Sequence, residues 1–354
     1  MVGAPQESVR FLQKLLNRIG RGEIPSRSDI RRAVEILISG GLAERNRFTL
    51  GAFLGLMTHR ELLTVELLRG LYDAIAAICP DQPLARDAGA VVAVGSGKDD
   101  FKTFNVTTCA AFTAASCGAH VIKVGCGAES SVAGSSDVLA DLGVLPKPPG
   151  HADDILATLG ICVADASTAV SSIFEHYVGQ SVFFNALELV LPSFVGIRAP
   201  HLVYGVADSR IELVAELLHG QVHCATILAG RSGAGEWFDE ASIFGPTLMA
   251  MLQGSEITTR ELHPGDFGLP VFRDDQVVPP SSRQEAMATV RDVLRGEASA
   301  AHLSLVAANS AVILKCTGVV DDLVGGTTFA LDSLRAGRPW QLLQRLREFE
   351  GDRR

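Results

Sequence analysis

Two short stretches carry most of the chemistry this sequence can perform. The first reads Gly95-Ser96-Gly97-Lys98-Asp99 and continues through Thr103-Phe104-Asn105-Val106-Thr107-Thr108. The second reads Lys123-Val124-Gly125-Cys126-Gly127 and continues through Ser130-Ser131-Val132-Ala133-Gly134-Ser135-Ser136-Asp137. Each follows an apolar run, Val91-Val92-Ala93-Val94 in one case and Val121-Ile122 in the other, so each reads as strand, turn, helix. Turns of this kind at helix starts expose backbone N–H groups, and with nearby hydroxyls they suit a multiply charged phosphate ligand. The bland alternative is an ordinary turn, with Asn105 a plain helix N-cap. Two such turns in series favour the phosphate. Gly97-Lys98 has a superficial P-loop look. However, Asp99 stands where that loop needs Ser or Thr, and Val92 where it needs Gly.

The elements that must hold these turns follow from the hydrophobic pattern. Residues 8–79 read as helices, beginning with Val9, Leu12, Leu15, Leu16 and Ile19 on one face. Cys79-Pro80-Asp81-Gln82-Pro83 reads as a linker. Beyond about residue 90 the grain becomes strand, turn, helix. Strands are expected over 201–206 and 222–229, and helices over 153–159, 164–177, 209–218, 281–294 and 300–314. This predicts a small helical domain joined to a larger α/β domain. The cleft between them is a natural ligand site.

Composition narrows the class. With 354 residues, 47% hydrophobic and 20% charged, the chain buries a full core. A net charge of −9 with no basic patch argues against nucleic acid. The longest apolar stretch, 182–197, is interrupted by Asn185 and Glu188, which argues against a membrane span. The opening Met1-Val2-Gly3-Ala4-Pro5 lacks the blocks of a signal peptide. Seven scattered cysteines have neither zinc nor redox spacing. Together these features predict a cytoplasmic protein with reduced thiols.

The two turns resemble those of the anthranilate phosphoribosyltransferases and, more distantly, of the pyrimidine nucleoside phosphorylases. That family carries Gly-Thr-Gly-Gly-Asp, Thr-Phe-Asn-Ile-Ser-Thr, Lys-His-Gly-Asn-Arg and Ser-Ser-x-Ser-Gly-Ser-Ala-Asp. A further match is Phe238-Asp239-Glu240-Ala241-Ser242-Ile243-Phe244-Gly245-Pro246-Thr247, against Leu-Asp-Glu-Leu-Ser-Leu-x-Gly-Pro-Thr. The resemblance extends over nearly the whole chain. It implies a central, mostly parallel sheet of the nucleoside phosphorylase/phosphoribosyltransferase type. It also implies a helical domain over 1–84 joined by a returning helical segment near 160–195, with the α/β domain over 85–159 and 196–354. The implied reaction is Mg2+-dependent transfer of 5-phosphoribosyl from phosphoribosyl pyrophosphate (PRPP) to an aromatic acceptor, and the implied assembly is a homodimer.

Residue by residue, the resemblance gives substrate contacts to Gly95, Ser96, Gly97, Lys98 and Asp99. It gives further phosphate donors at Thr103, Asn105, Thr107 and Thr108, a point charge at Lys123, and hydroxyls at Ser131 and Ser135. Asp239 and Glu240 become the magnesium ligands. Without that context an Asp-Glu pair before a helix is simply an acidic helix start.

The match breaks where the acceptor should sit. Val124, Cys126 and Gly127 replace the family's His, Asn and Arg, and residues 148–197 contain neither Lys nor Arg. Phe174, His176, Tyr177, Gln180, Phe183, Phe184 and Asn185 occupy the region instead, as repacked core or as a site for another aromatic acceptor. In the second case His176 is the candidate general base or acceptor clamp. Lys98, in place of a family Gly, is expected either to add a cation to the pyrophosphate or to obstruct its turn. The leading expectation is a phosphoribosyltransferase for a small aromatic acceptor other than anthranilate, in a specialised pathway. The rivals are ordinary anthranilate phosphoribosylation, a nucleoside-phosphorylase-like reaction, and a non-catalytic ligand- or nucleic-acid-binding relative.

Overall fold

Five buried apolar runs build the parallel part of one sheet. They are β1 (Ala90–Gly95), β2 (His120–Gly125), β3 (Ile161–Asp165), β4 (His201–Gly205) and β5 (Cys224–Arg231). Strands covered on both faces need no polar alternation, and these show almost none. In this computed structural model residues 6–38, 43–59, 62–79, 84–127, 132–146, 152–166, 183–194 and 197–351 are described. The sheet order is β3-β2-β1-β4-β5, followed by antiparallel β7 (Thr247–Gln253) and β8 (Glu256–Leu262), while the short β6 (Trp237–Phe238) pairs with β5. Gly254, at φ +60°, turns the β7–β8 hairpin. The edge strand β8 exposes Glu256, Arg260 and Glu261, charges that discourage pairing with another chain.

The helices are α1 (Gln6–Ile19), α2 (Arg27–Ile38), α3 (Ala43–Thr58), α4 (Val65–Ala76), α5 (Val106–Ser116), α6 (Ser135–Asp141), α7 (Ala152–Leu159), α8 (Ile211–Leu218), α9 (Arg283–Leu294), α10 (Ala300–Cys316), α11 (Leu323–Arg335) and α12 (Arg338–Gly351). The N-terminal helices pack on one another, α2 against α4 most closely. Helix α5 is buried nearly all round because it lies between β2 and helices α10 to α12. Small residues allow that approach, and Ser310 Oγ reaches the Ala110 carbonyl at 3.3 Å.

The mixed helical and mostly parallel α/β architecture agrees with the expectation. One element differs. The helix expected over 164–177 begins inside β3, where Ile161-Cys162-Val163 extends and pairs with β2 in the register Lys123↔Val163. Branched Ile161 and Val163 favour a strand, which runs on through Ala164 and Asp165, while residues 167–177 of the expected helix lie outside the described residues. Residues 191–194 form a 3₁₀ turn. Residues 167–182, with His176, Phe174, Tyr177 and Gln180, lie outside the described residues, as does Ser131.

Candidate active site

The strand order reverses between β1 and β4, the place where α/β sheets open a crevice at their carboxyl ends. Gly95 ends β1 and is the register partner of Gly205, which ends β4. The loop carrying Asp239 lies across this point. A Cβ on Gly95 would sit 2.4 Å from Asp239 Oδ2, and one on Gly205 only 1.7 Å from the Asp239 carbonyl oxygen. Both positions therefore require glycine if the loop is to lie there. The Gly97 amide donates to Asp239 Oδ2 at 2.7 Å, and the Asp239 amide donates to Asp99 Oδ1 at 3.0 Å. The first glycine turn and the acidic couplet are thus one hydrogen-bonded unit.

A cavity of about 420 Å³ opens above it. Gly95, Ser96, Gly97, Lys98 and Asp99 form one wall. Thr103, Asn105, Thr107 and Thr108 line it at the start of α5. Lys123 and Ser135 come from the second unit, and Asp239 and Glu240 from the crossing loop. Every described phosphate- and metal-binding candidate therefore faces one space. Asn105 makes no side-chain cap to α5, so its amide is not spent on the ordinary N-cap role. Gly125 lets the second turn close up: a Cβ there would meet Ser135 Oγ at 2.1 Å.

Buried carboxylates dominate the electrostatics of the site. Asp239 and Glu240 are 6% and 5% exposed, and burial raises both carboxyls above their ordinary range. The charges of Asp239 and Asp99 raise Glu240 further, and burial followed by Asp239 raises Asp99. Glu240 Oε2 is buried without a hydrogen-bond partner. Burial lowers the Lys123 ammonium to about 8, against the opposing pull of Cys126, Asp239 and Glu240. Its Nζ donates to the Val124 carbonyl. Among the described residues no group of three or more His, Cys, Asp or Glu side chains can hold an ion alone. The oxygen-only donors and the orphaned Glu240 oxygen fit Mg2+, which takes one or two carboxylates and completes its shell with phosphates and water.

Sequence reasoning missed Glu188. It is 5% exposed, lines the cavity, and its Oε1 accepts from Lys98 Nζ. Lys98 is the only described non-glycine residue at positive φ, +59°, which is where its position in the turn calls for Gly. Tyr204 Oη donates to the Glu188 carbonyl and anchors that segment to β4. Glu188 had registered only as an interruption of an apolar stretch. Nothing local marks a carboxylate whose partner lies ninety residues away.

In the acceptor region Phe183, Phe184 and Asn185 are among the described residues. Phe183, Phe184 and Asn185 do not line the cavity. Phe183 is exposed, Phe184 packs on the core, and buried Asn185 shapes a turn by accepting from the Leu187 amide at 3.1 Å. The apolar lining comes instead from Val132, Ala166, Leu191, Phe194, Pro279 and Pro280.

Comparisons with known proteins bear on the family and the fold. Residues 87–339 match the family model described as "Glycosyl transferase family, a/b domain". Anthranilate phosphoribosyltransferases of Shewanella sp. strains W3-18-1 and MR-4 are 30% and 31% identical over 348 and 355 residues, with 96% of this chain and 97% of each relative covered. Two solved structures share the fold. Anthranilate phosphoribosyltransferase from Thermus thermophilus has a TM-score of 0.75 at 21% identity, covering 94% of this chain and 98% of its own. The Saccharomyces cerevisiae enzyme in complex with PRPP and Mg has 0.79 at 17%, covering 98% of each. The chain therefore belongs to this glycosyltransferase family, among relatives that are anthranilate phosphoribosyltransferases, and is an enzyme of the phosphoribosyltransferase kind.

Proposed function

We propose that the protein transfers 5-phosphoribosyl from PRPP to a small aromatic acceptor other than anthranilate, releasing pyrophosphate. The observation that carries the PRPP reading is the convergence of both glycine turns and the Asp239-Glu240 couplet on one cavity. The Gly95 turn would let the backbone approach the pyrophosphate, while Asn105, the Thr107 hydroxyl and Lys123 would grip phosphate oxygens and hold the sugar in line with the acceptor. Asp239 and Glu240 would hold Mg2+, which when bound neutralises charge developing on the leaving pyrophosphate.

The acceptor assignment rests on charge. No arginine is among the described residues lining the cavity, and residues 128–131 and 147–182 contain none. Of the lining cations, Lys98 is already engaged by Glu188, while Lys102 and Lys123 stand among the acidic residues. A carboxylate brought to this wall would meet Glu188, a like charge. The second reading is anthranilate itself, favoured by curated relatives that match 96% of the chain. Calorimetry with Mg2+ and PRPP, followed by mass spectrometry of acceptor mixtures for a ribose-phosphate adduct, decides between them. No PRPP binding defeats the whole proposal. Efficient turnover of anthranilate, with neutral aromatics untouched, defeats the acceptor assignment.

A further inference from the structure

The Lys98–Glu188 pair joins the phosphate turn to the segment that carries the apolar lining residues Leu191 and Phe194. Both side chains are 5% exposed and both line the cavity. Lys98 stands one residue after Gly97, whose amide is bound to Asp239, so its ammonium starts beside the anion cradle. Glu188 stands three residues before Leu191 and six before Phe194, both apolar lining residues. A pyrophosphate in the cradle is a polyanion competing with one carboxylate for the same lysine. When the polyanion prevails, Lys98 stays compensated. Glu188 then loses the ammonium that balances its charge, which makes its carboxylate a stronger acceptor for a donor or a proton.

We propose that PRPP binding exchanges Lys98 from Glu188 to the pyrophosphate, and that the released Glu188 carboxylate then grips and deprotonates the N–H or O–H of a neutral aromatic acceptor. The proposal rests on the PRPP-transferase reading and deepens it. The steps balance. The acceptor nitrogen or oxygen forms a bond to the anomeric carbon, and its proton passes to Glu188. The bond from that carbon to pyrophosphate breaks, and its electron pair leaves with pyrophosphate. The pair would then couple the order of events: an acceptor that needs the carboxylate binds well only after PRPP. It would also select chemistry, because Glu188 repels an acceptor carboxylate and welcomes an amide or other donor.

The test uses the full chain with Mg2+, PRPP, anthranilate, and anthranilamide, which replaces the carboxylate by a neutral donor. The intact protein is expected to bind anthranilamide at least tenfold more tightly with PRPP present than without, and more tightly than anthranilate. Glu188→Gln should bind PRPP severalfold more tightly, because Lys98 no longer has a carboxylate to leave, reverse the preference between the two acceptors, and remove the acid limb of the pH–rate profile. Lys98→Gly suits the left-handed backbone and should bind PRPP severalfold more weakly; equal or tighter binding overturns the exchange. It also serves as the readout if Glu188→Gln does not fold. PRPP binding with unchanged acceptor preference and pH profile in Glu188→Gln overturns this proposal alone, as does failure of anthranilamide to bind the PRPP-loaded protein. Absence of PRPP binding to the unaltered chain overturns it together with the transferase reading.

Discussion

The Gly97 amide and the Asp239 carboxylate meet at 2.7 Å across 142 residues of sequence. That bond ties the phosphate turn to the metal-binding candidates, so a change in one reaches the other. The two glycines beneath Asp239 test the coupling differently. In Gly95→Ala the new methyl meets a carboxylate at 2.4 Å, whereas in Gly205→Ala it meets backbone oxygen at 1.7 Å. A carboxylate can turn away; a carbonyl can move only with its loop. Gly205→Ala is therefore expected to lower unfolding stability by about 3 kcal/mol or more. Gly95→Ala should cost less stability and weaken Mg2+–PRPP binding. Urea denaturation and calorimetry on both variants check the split; equal stability losses without a binding defect would refute it.

Glu240 is buried, near two like charges, with one oxygen unpartnered. Its folded pKa lies above its unfolded value, so the folded state binds more protons across that interval. Stability from this group is present at acid pH and is lost as pH rises through the folded pKa. At neutral pH without a cation, Glu240→Gln should raise stability by about 1–2 kcal/mol. Mg2+ should then stabilise the unaltered chain and leave the variant nearly unmoved. Thermal melts with and without Mg2+ show this; a variant that melts lower and still responds to Mg2+ would contradict it.

Lys123 titrates in the opposite sense. Burial lowers its folded pKa from 10.5 to about 8, so between those values the unfolded chain holds the extra proton. Its contribution to folding stability therefore rises with pH across that window. PRPP affinity should do the reverse, because the neutral amine no longer attracts phosphate. About one unit above 8, roughly a tenth of the lysine remains charged, so affinity should fall up to about tenfold between pH 7 and 9. Lys123→Met should bind weakly at both pH values and lose the slope. A pH-independent affinity in the unaltered chain would remove Lys123 from the phosphate grip.

How much of this was legible depended on whether the signal was local. The β1 and β2 units were readable because branched apolar runs end at glycine and hydroxyl turns within a few residues. β3 was obscured because it ends in Ala164-Asp165 and is followed by Ala166, a composition that also suits a helix. The Gly95–Gly205 pairing was invisible because register joins strands more than a hundred residues apart. Glu188 was hidden for the same reason: its meaning comes from Lys98 across the cavity, while its neighbours look like ordinary core.

Asn309 is the clearest instance of such a hidden residue, and it carries the last prediction. It sits midway along the largely buried helix α10 and looks like a tolerated polar residue. Its Oδ1 accepts from the Ala241 amide at 2.8 Å, and its Nδ2 donates to the Ala241 carbonyl at 3.1 Å. It therefore clamps the backbone immediately after Asp239 and Glu240. Asn309→Ala leaves a buried donor and acceptor unmet, at about 2–3 kcal/mol together. Because the loosened segment carries the carboxylates, Mg2+–PRPP affinity should fall with the stability. Asn309→Asp keeps the acceptor for the amide but sets a carboxylate against the Ala241 carbonyl, so it should fare no better than alanine. If both variants lose stability while binding Mg2+ and PRPP as the unaltered chain does, Asn309 serves the core and has no part in presenting Asp239 and Glu240.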